Sequence, residues 1–442
     1  MANKRPSPLI DTVFDNFCGQ NGEAYLWKNG PSWLLLVCES INNQESRSRM
    51  RLRRIPQRVS NCLSPFSSNF SCPQGQHFRV WCWLLVTLLL VDGSAKLKNL
   101  TRLMPASLRY WTVRRMVNAG YWDASAALDE LVVATFFALP PPNDGTLHLI
   151  GDKTIKQKSG KKQPLGHKTR MNEFARYVFG QEIVLLLAQW GRLRVPVSCE
   201  VLDPKRKGHQ NILFRQMLRR FRPPAWCRRV VVVADADFAS KPNLRLIQRL
   251  EWRFVFAFAR TWKLEDGTHL RDLARHLPKS RYRRIASYTP DKRRRDYWVF
   301  VRRARLKTVG DVTVILSKRR RNEGPKKVKL IVTNLETERA SEILNAYARR
   351  WAVEVTFKEL KSGLHWGQMQ VTKEKERVKR AMLLPVMAYV LLLRLYGKGM
   401  NPDQGFTIFQ LKRRFCEEAW QEQLDRSEAK WRKKLDQLRA AA

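Results

Sequence analysis

Residues 78–139 are the first stretch of the chain with a clear pattern, and their hydrophobic residues recur at helical spacing. Three prolines at 140–142 end this pattern, because proline cannot continue a helix. Besides an apolar run at 80–91, we predict helices at 97–103, 108–119 and 124–139. This stretch is therefore expected to be entirely α-helical.

We assign residues 77–143 as a helical DNA-binding module, because it carries three arginines whose side chains suit contacts with phosphates: Arg109, Arg114 and Arg115. The basic segment before it, residues 1–76, has no comparable periodicity and is poorly defined. The apolar residues at 34–37 predict a short buried piece. Residues 42–76 are rich in Arg, Ser, Pro and Asn, which predicts linker-like or poorly ordered chain.

A different pattern follows the prolines and predicts a sheet. Short apolar runs predict strands at 146–150, 181–189, 192–201, 229–234 and 254–258. Helical patterns at 210–221 and 244–250 lie between the later strands. The continuous β-branched run at 229–234 is typical of a central strand buried on both faces. This order predicts a mixed sheet with helices on its faces, formed by a core of residues 144–259 and 335–367.

Residues 260–334 interrupt that order with short alternating runs. We predict a β-rich insertion here, with strands at 282–288, 297–303, 311–316 and 329–333. A helix at 338–362 follows it. The remaining C-terminal region, 368–442, is predicted to be helical, as a helix or helix pair at 373–395 and a long basic helix at 406–438.

The helix at 338–362 has two distinct stripes. At 100° per residue, one stripe about 60° wide carries a phenol, a guanidinium, a carboxylate and an ammonium: Tyr347, Arg350, Glu354 and Lys361. A neighbouring stripe is apolar and should face the core: Val353, Phe357, Leu360 and Leu364. The first stripe suits the wall of an active site, although a solvated face with ion pairs has the same pattern.

Charge indicates the partner. The chain has 83 Lys and Arg against 39 Asp and Glu, a net charge of +44 spread along its whole length. A folded chain this basic suits a polyanion, first nucleic acid and second a membrane surface. The apolar run at 80–91 is too short to cross a bilayer and predicts a buried helix. Eight cysteines without metal-site spacing predict reduced thiols in a cytosol.

Two acids follow predicted strands, Asp152 after the first and Asp235 after the central one. Ligand sites in such sheets form beyond strand ends, where Glu354 could join them. Three carboxylates suit two Mg²⁺ or Mn²⁺ ions for phosphoryl transfer. Asp237 is a weaker rival of Asp235. Glu359 is rejected because it lies at about 120° on the helix, and Asp203 suits a turn.

The spacing Tyr347-x2-Arg350-x3-Glu354-x6-Lys361 resembles the YREK signature of bacterial insertion-sequence DDE transposases. GDKT at 151–154 and VVADADFAS at 232–240 are similar to the two Asp motifs of that family. The resemblance implies a ribonuclease-H-like α/β fold and a metal-binding catalytic triad of Asp152, Asp235 and Glu354. It also implies DNA contacts by three residues of the signature: Tyr347, Arg350 and Lys361.

The family further implies an aromatic residue in the insertion that stacks on a flipped base. Trp298 is our candidate and Trp262 its rival, although a Trp packed inside the β-rich segment has the same pattern. The basic runs at 292–295 and 318–321 suit phosphate contacts, and solvated turns would look the same.

The function we expect is that of a cut-and-paste transposase in a bacterial cytoplasm, associated with the nucleoid. Water attacks the phosphate at the end of the element, and the freed 3′-OH attacks target DNA. The partners are terminal inverted repeats, target DNA and a second copy in a synaptic homodimer, with no membrane. Two alternatives stay open: a structure-selective nuclease on the same fold, and a catalytically inactive DNA-binding relative.

Overall fold

The computed structural model describes residues 52–70, 76–120, 122–158, 163–171, 176–288, 294–337, 339–369, 371 and 374–441. The chain divides into two units, Met1–Met50 and Arg51–Ala442, and all described residues belong to the second. The possible buried piece at 34–37 lies outside the described residues, as does most of the predicted N-terminal region.

Ten strands of the described chain form one sheet. They are β1 Thr146–Gln157, β2 His167–Met171, β3 Arg176–Trp190, β4 Leu193–Val201, β5 Arg229–Ala234, β6 Arg253–Ala257, β7 Arg283–Tyr288, β8 Arg294–Leu306, β9 Gly310–Lys318 and β10 Lys329–Thr333. Their order is β2-β3-β1-β5-β6-β10-β9-β8-β7, and β4 also pairs with β3. Because β5 lies inside the sheet, its residues from Val230 to Ala234 are buried, as the run of four valines predicts.

The central strands have the connectivity that the sequence predicts. β1, β5 and β6 are parallel, whereas β3 is antiparallel to β1 and β4 is antiparallel to β3. The order β4-β3-β1-β5-β6 therefore places three meandering strands beside two strands that follow helices. This confirms the prediction of a ribonuclease-H-like mixed sheet with flanking helices.

The β-rich segment joins this sheet directly. β10 pairs antiparallel with β6, and β9, β8 and β7 continue outward from it. All four predicted strands are present, but periodicity could not show that their backbone hydrogen bonds extend the central sheet.

Helices cover the sheet and form a buried layer at both ends of the described chain. They are α1 Gln57–Leu63, α2 Gln76–Leu90, α3 Leu97–Arg102, α4 Tyr110–Ala119, α5 Ala124–Ala138, α6 His209–Arg220, α7 Lys241–Arg249, α8 Leu270–His276, α9 Ala340–Ala348, α10 Trp351–Lys358, α11 Lys375–Tyr396 and α12 Ile408–Ala441. The apolar helices α2 and α11 contact each other and are almost wholly buried. No described helix is long and apolar enough to cross a membrane.

The prediction of a linker at 42–76 is wrong for its described part. Residues 57–69 form α1 and a 3₁₀ turn, and their apolar side chains Val59, Leu63 and Phe66 are buried in the helical layer. The sequence did not predict this structure, because the segment is polar overall and its few buried side chains show little periodicity. Phe70 completes the set by stacking on Trp122.

Two element boundaries also differ from the predictions. β1 continues to Gln157 instead of ending before Asp152, because residues 153–157 pair with the first half of β3. The helix at 338–362 is interrupted between α9 and α10, where i→i+3 hydrogen bonds join Ala352 to Arg349 and Val353 to Arg350. A π-helical turn, Glu359–Gly363, then closes α10. Glu338 lies outside the described residues.

The apolar run around Pro385 is one helix, α11, and not a pair. Proline removes one backbone donor and weakens the preceding turn. Trp366 donates from Nε1 to the carbonyl oxygen of Met382 in that turn, at 2.8 Å. This contact ties Trp366 to the turn that precedes Pro385.

Candidate active site

Strand register brings two of the predicted acids together. Gly151 of β1 lies directly opposite Ala234 of β5, at the end of their parallel pairing. The next residues in each strand, Asp152 and Asp235, are therefore neighbours at the carboxyl edge of the sheet. Neither acid could be placed there by periodicity alone, because register is a property of the paired strands.

The glycine before Asp152 determines which face the acid occupies. A Cβ atom at Gly151 would lie 2.3 Å from the ring of Phe214 on α6. Side chains alternate along a strand, so Asp152 points to the opposite face, where α10 contacts β1. Asp235 shares that face, because its neighbour Ala234 is level with Gly151.

We expect Gly151→Ala to destabilise the protein by about 1–3 kcal/mol, because the added methyl group overlaps a buried aromatic ring. Urea unfolding measures the change. Gly324→Ala is the matched control, since a Cβ there meets no atom within 4 Å and its φ of −69° suits alanine. Equal stability of the two variants would show that Phe214 tolerates the methyl group.

The third acid comes from α10, which packs by its apolar stripe. Val353, Phe357, Leu360 and Leu364 are all buried, as predicted. The polar stripe consequently faces the edge of the sheet. This places Glu354 over β1, on the side of Asp152.

Arg350 joins two of the acids. Its Nη1 atom donates to Asp152 at 2.7 Å, and its Nη2 atom donates to Glu354. The arginine and Asp152 are mostly buried, so this contact is shielded from solvent. In the structure the guanidinium group therefore offsets part of the negative charge of the acids on either side of it.

The pKa of Asp152 reflects its burial and the charged groups that lie close to it. The pKa of Asp152 is raised to about 6, mainly by burial and to a smaller extent by the nearby charges of Asp235 and Glu354. Arg350 and the backbone N–H of Lys153 oppose this by favouring the ionised form. The carboxylates are thus close enough to repel one another.

A raised carboxyl pKa means that the folded protein binds this proton more tightly than the unfolded chain. The free energy of unfolding therefore falls as pH rises from about 4 to about 6. At pH 7 without metal, we expect Asp152→Asn to stabilise the fold by about 1–3 kcal/mol, and at pH 4 to change it little. Unfolding in EDTA at both pH values measures this. A uniform effect at both would contradict it.

The other two residues of the signature also reach this edge. Lys361, in the π-helical turn, donates to Thr154 Oγ1 of β1 at 2.6 Å. Tyr347 of α9 is 7% exposed, and burial together with the charge of Asp235 raises its pKa. All of the residues predicted from the signature spacing thus lie around Asp152 and Asp235.

Sequence reasoning missed one residue of this site, Lys329. It begins β10, and its Nζ atom lies 4.5 Å from the centre of the Tyr347 ring. The only sequence signal is a lysine at the head of an otherwise apolar strand. Its position became clear only from the antiparallel pairing of β10 with β6, which brings the start of β10 to the carboxyl edge of β5.

The rival acids have other partners. Glu359 is buried against Arg194, and Asp237 is exposed and lies 3.1 Å from Lys153 Nζ. Asp203 accepts a hydrogen bond from the backbone N–H of Lys205, as a turn residue does.

The two aromatic candidates lie outside this cluster of acids. Trp262 packs on Phe258. Trp298 of β8 pairs with Lys318 and lies at the same sheet edge as Lys329, with Arg321 over its ring at 5.3 Å. β8 is four strands from β5, which corresponds to roughly 20 Å.

Three carboxylates at one edge have the oxygen chemistry that Mg²⁺ and Mn²⁺ prefer. Among the described residues, however, no three His, Cys, Asp or Glu side chains are arranged to hold a metal ion. Arg350 lies between Asp152 and Glu354 instead. The donor set fits a divalent cation, provided that Arg350 releases these acids.

Residues 191–391 match the family model described as a transposase DDE domain. The match supports a DDE transposase. The matched segment contains Asp235 and the four signature residues, and begins after Asp152.

Among solved structures, the chain is similar to a cryo-EM structure of the piggyBac transposase synaptic complex with hairpin DNA. That similarity covers 89% of this chain and 83% of the other, at 10% identity and a TM-score of 0.43. No curated protein matches the chain.

Proposed function

We propose that the protein is a DNA transposase that cuts the ends of an insertion sequence and joins them to target DNA. The observation that carries this proposal is the meeting of Asp152, Asp235 and Glu354 around Arg350 at the carboxyl edge of the central sheet. The transposase DDE domain match over residues 191–391 supports it independently.

In this proposal Asp152, Asp235 and Glu354 hold two Mg²⁺ or Mn²⁺ ions. When bound, such ions supply activation of the attacking oxygen and stabilisation of the leaving oxygen in phosphoryl transfer. The residues contributed by the chain must then present ionised carboxylates at one point. Because the pKa of Asp152 is raised to about 6, its ionised form dominates only above about pH 6.

Arg350 has two roles in the proposed cycle. Without DNA its positive charge lies between Asp152 and Glu354, which limits their mutual repulsion. When DNA arrives, the guanidinium group contacts a backbone phosphate near the cleaved bond and leaves the acids. Arginine suits this exchange because its planar donors bind carboxylate and phosphate equally well.

Lys361 and Tyr347 contact the DNA end beside Arg350 in this proposal, and Trp298 offers a ring for a displaced base at the same edge of the sheet. The net charge of +44 supports broad contact with DNA along the rest of the surface. Water attacks the phosphate at the end of the element, and the freed 3′-OH then attacks the target. Pairing of two ends requires a homodimer or larger assembly.

The test is cleavage and joining with purified protein. The substrate is a labelled duplex that carries the inverted repeat flanking the gene, supplied with Mg²⁺ or Mn²⁺ and a target plasmid. We expect cleavage at the repeat end and covalent joining of the label to the plasmid. Cleavage without joining would favour a nuclease, and binding without cleavage would favour an inactive relative.

A further inference from the structure

Two hydrogen-bond donors at the active site lack an acceptor. The hydroxyl group of Tyr347 is buried and, in the part of the chain that the structure describes, finds no acceptor for its proton, since the nearby Arg350 can only donate to it. The ammonium group of Lys329 lies over the same ring, 4.5 Å from its centre. Among the described residues, Lys329 forms no ion pair within 4.0 Å. A buried, unpaired hydroxyl is costly unless a ligand completes it.

The neighbouring cations are already engaged. Arg350 contacts Asp152 and Glu354, and Lys361 donates to Thr154. Lys329 differs from them because the charges of Asp235 and Glu354 act on it without direct contact. Its side chain is exposed overall, yet protein atoms around the ammonium group exclude enough water to lower its pKa.

Strand geometry fixes where these donors point. Ala234 of β5 is level with Phe256 of β6, so Asp235 is level with Ala257, which in turn pairs with Ile331 of β10. Lys329 is two residues from Ile331 and therefore shares its face. Lys329, Tyr347 and Asp235 consequently surround one point beyond the end of β5.

We propose that Lys329 and Tyr347 form a phosphate-binding pair, which holds a DNA backbone phosphate beside the three acids. The inference rests on the proposed function and adds a residue outside the signature. Lys329 supplies the positive charge, and Tyr347 of α9 supplies a neutral hydrogen-bond donor. A phosphodiester fits because its two non-bridging oxygens can accept from both groups at once.

The competing role for Lys329 is that of a counter-ion to Asp235 and Glu354. The two roles differ in what metal ions do. A counter-ion competes with divalent cations, so its removal raises metal affinity and leaves DNA binding unchanged. A phosphate-binding lysine contributes to DNA binding in the absence of any metal.

The experiment measures binding of the inverted-repeat duplex in EDTA by fluorescence anisotropy over a series of salt concentrations. We expect Lys329→Gln to weaken binding about tenfold. It should also reduce the slope of log K against log salt by about 0.9, the value for one lost phosphate contact. Lys329→Arg should retain the slope, because it keeps the positive charge. Tyr347→Phe should weaken binding but leave the slope unchanged, because the phenol carries no charge.

Lys307→Gln is the matched control, because this exposed lysine lies in the turn between β8 and β9 at the opposite edge of the sheet. Thermal unfolding verifies that each variant is folded. Binding by Lys329→Gln equal to that of Lys307→Gln would overturn the inference. So would tighter Mn²⁺ binding by Lys329→Gln, measured by calorimetry, with DNA affinity unchanged.

The outcomes separate this inference from the proposed function. Wild-type protein that binds the duplex with a Lys329-dependent salt slope but never cleaves it would support the phosphate pair and reject the transposase. If the wild type cleaves the duplex but the salt slope is the same with and without Lys329, the phosphate-binding pair is rejected and the proposed transposase function stands.

Discussion

Asp235→Asn is expected to lower metal-dependent cleavage of the inverted repeat by about 10³-fold or more. The proposed reaction needs ionised oxygens at fixed positions, and an amide supplies no negative charge to a divalent cation. A loss of this size is expected because weaker binding of the metal ion also removes the charge stabilisation that the ion gives to the transition state. Glu354→Gln and Asp152→Asn should be equally impaired, and single-turnover cleavage with Mn²⁺ measures all three.

The matched control for this prediction is Asp237→Asn. It makes the same chemical change two residues along the chain, at an exposed carboxylate that contacts Lys153. We expect its cleavage rate to stay close to that of the wild type. If Asp237→Asn is inactive and Asp235→Asn is not, the two acids have been assigned the wrong way round. Calorimetry with Mn²⁺ should show binding that Asp235→Asn loses and Asp237→Asn keeps.

Glu359→Ala is expected to have the largest effect on stability, a loss of about 3–5 kcal/mol in the free energy of unfolding. Glu359 is 2% exposed, and its Oε1 atom accepts from Arg194 at 3.0 Å and from the backbone N–H of Ile408 at 3.1 Å. Its Oε2 atom accepts from the hydroxyl of Tyr389 at 2.8 Å. Truncation leaves the mostly buried charge of Arg194 without its carboxylate partner and the backbone N–H of Ile408 without its acceptor.

Urea unfolding measures this change as a lower midpoint at constant slope. Glu417→Ala is the control, because Glu417 forms an exposed i,i+4 pair with Arg413 on α12 and should cost less than about 0.5 kcal/mol. Glu359→Gln keeps the shape but removes the charge, so its stability should fall between the two. A small effect of Glu359→Ala would mean that α12 holds its position without this carboxylate.

Glu359 and Glu354 show how one helix serves two purposes. Both are acids on the α10 segment, and their angular positions separated them correctly in the sequence. Glu354 reaches the polar edge with Arg350, whereas Glu359 is buried beside α11 and α12. Helical spacing could assign these sides because side-chain direction in a helix is a local property of the chain.

Local pattern therefore determined most of the elements of this protein. It predicted the strands of the central sheet except β2, the strands of the β-rich segment, and most of the helices, although not α1 or α8. It also predicted the apolar stripe of α10 and the polar stripe beside it. The pattern failed for residues 57–69 and for the extension of β1, where short polar segments gain their structure from neighbours elsewhere in the chain.

Tertiary structure alone decided how these elements meet. The register of β1 on β5 makes Asp152 and Asp235 neighbours, and the antiparallel pairing of β10 with β6 brings Lys329 to them. Arg350 could be placed on a stripe from the sequence, but not between two carboxylates. Register and pairing depend on hydrogen bonds between residues far apart in the sequence. Periodicity within one segment carries no information about them.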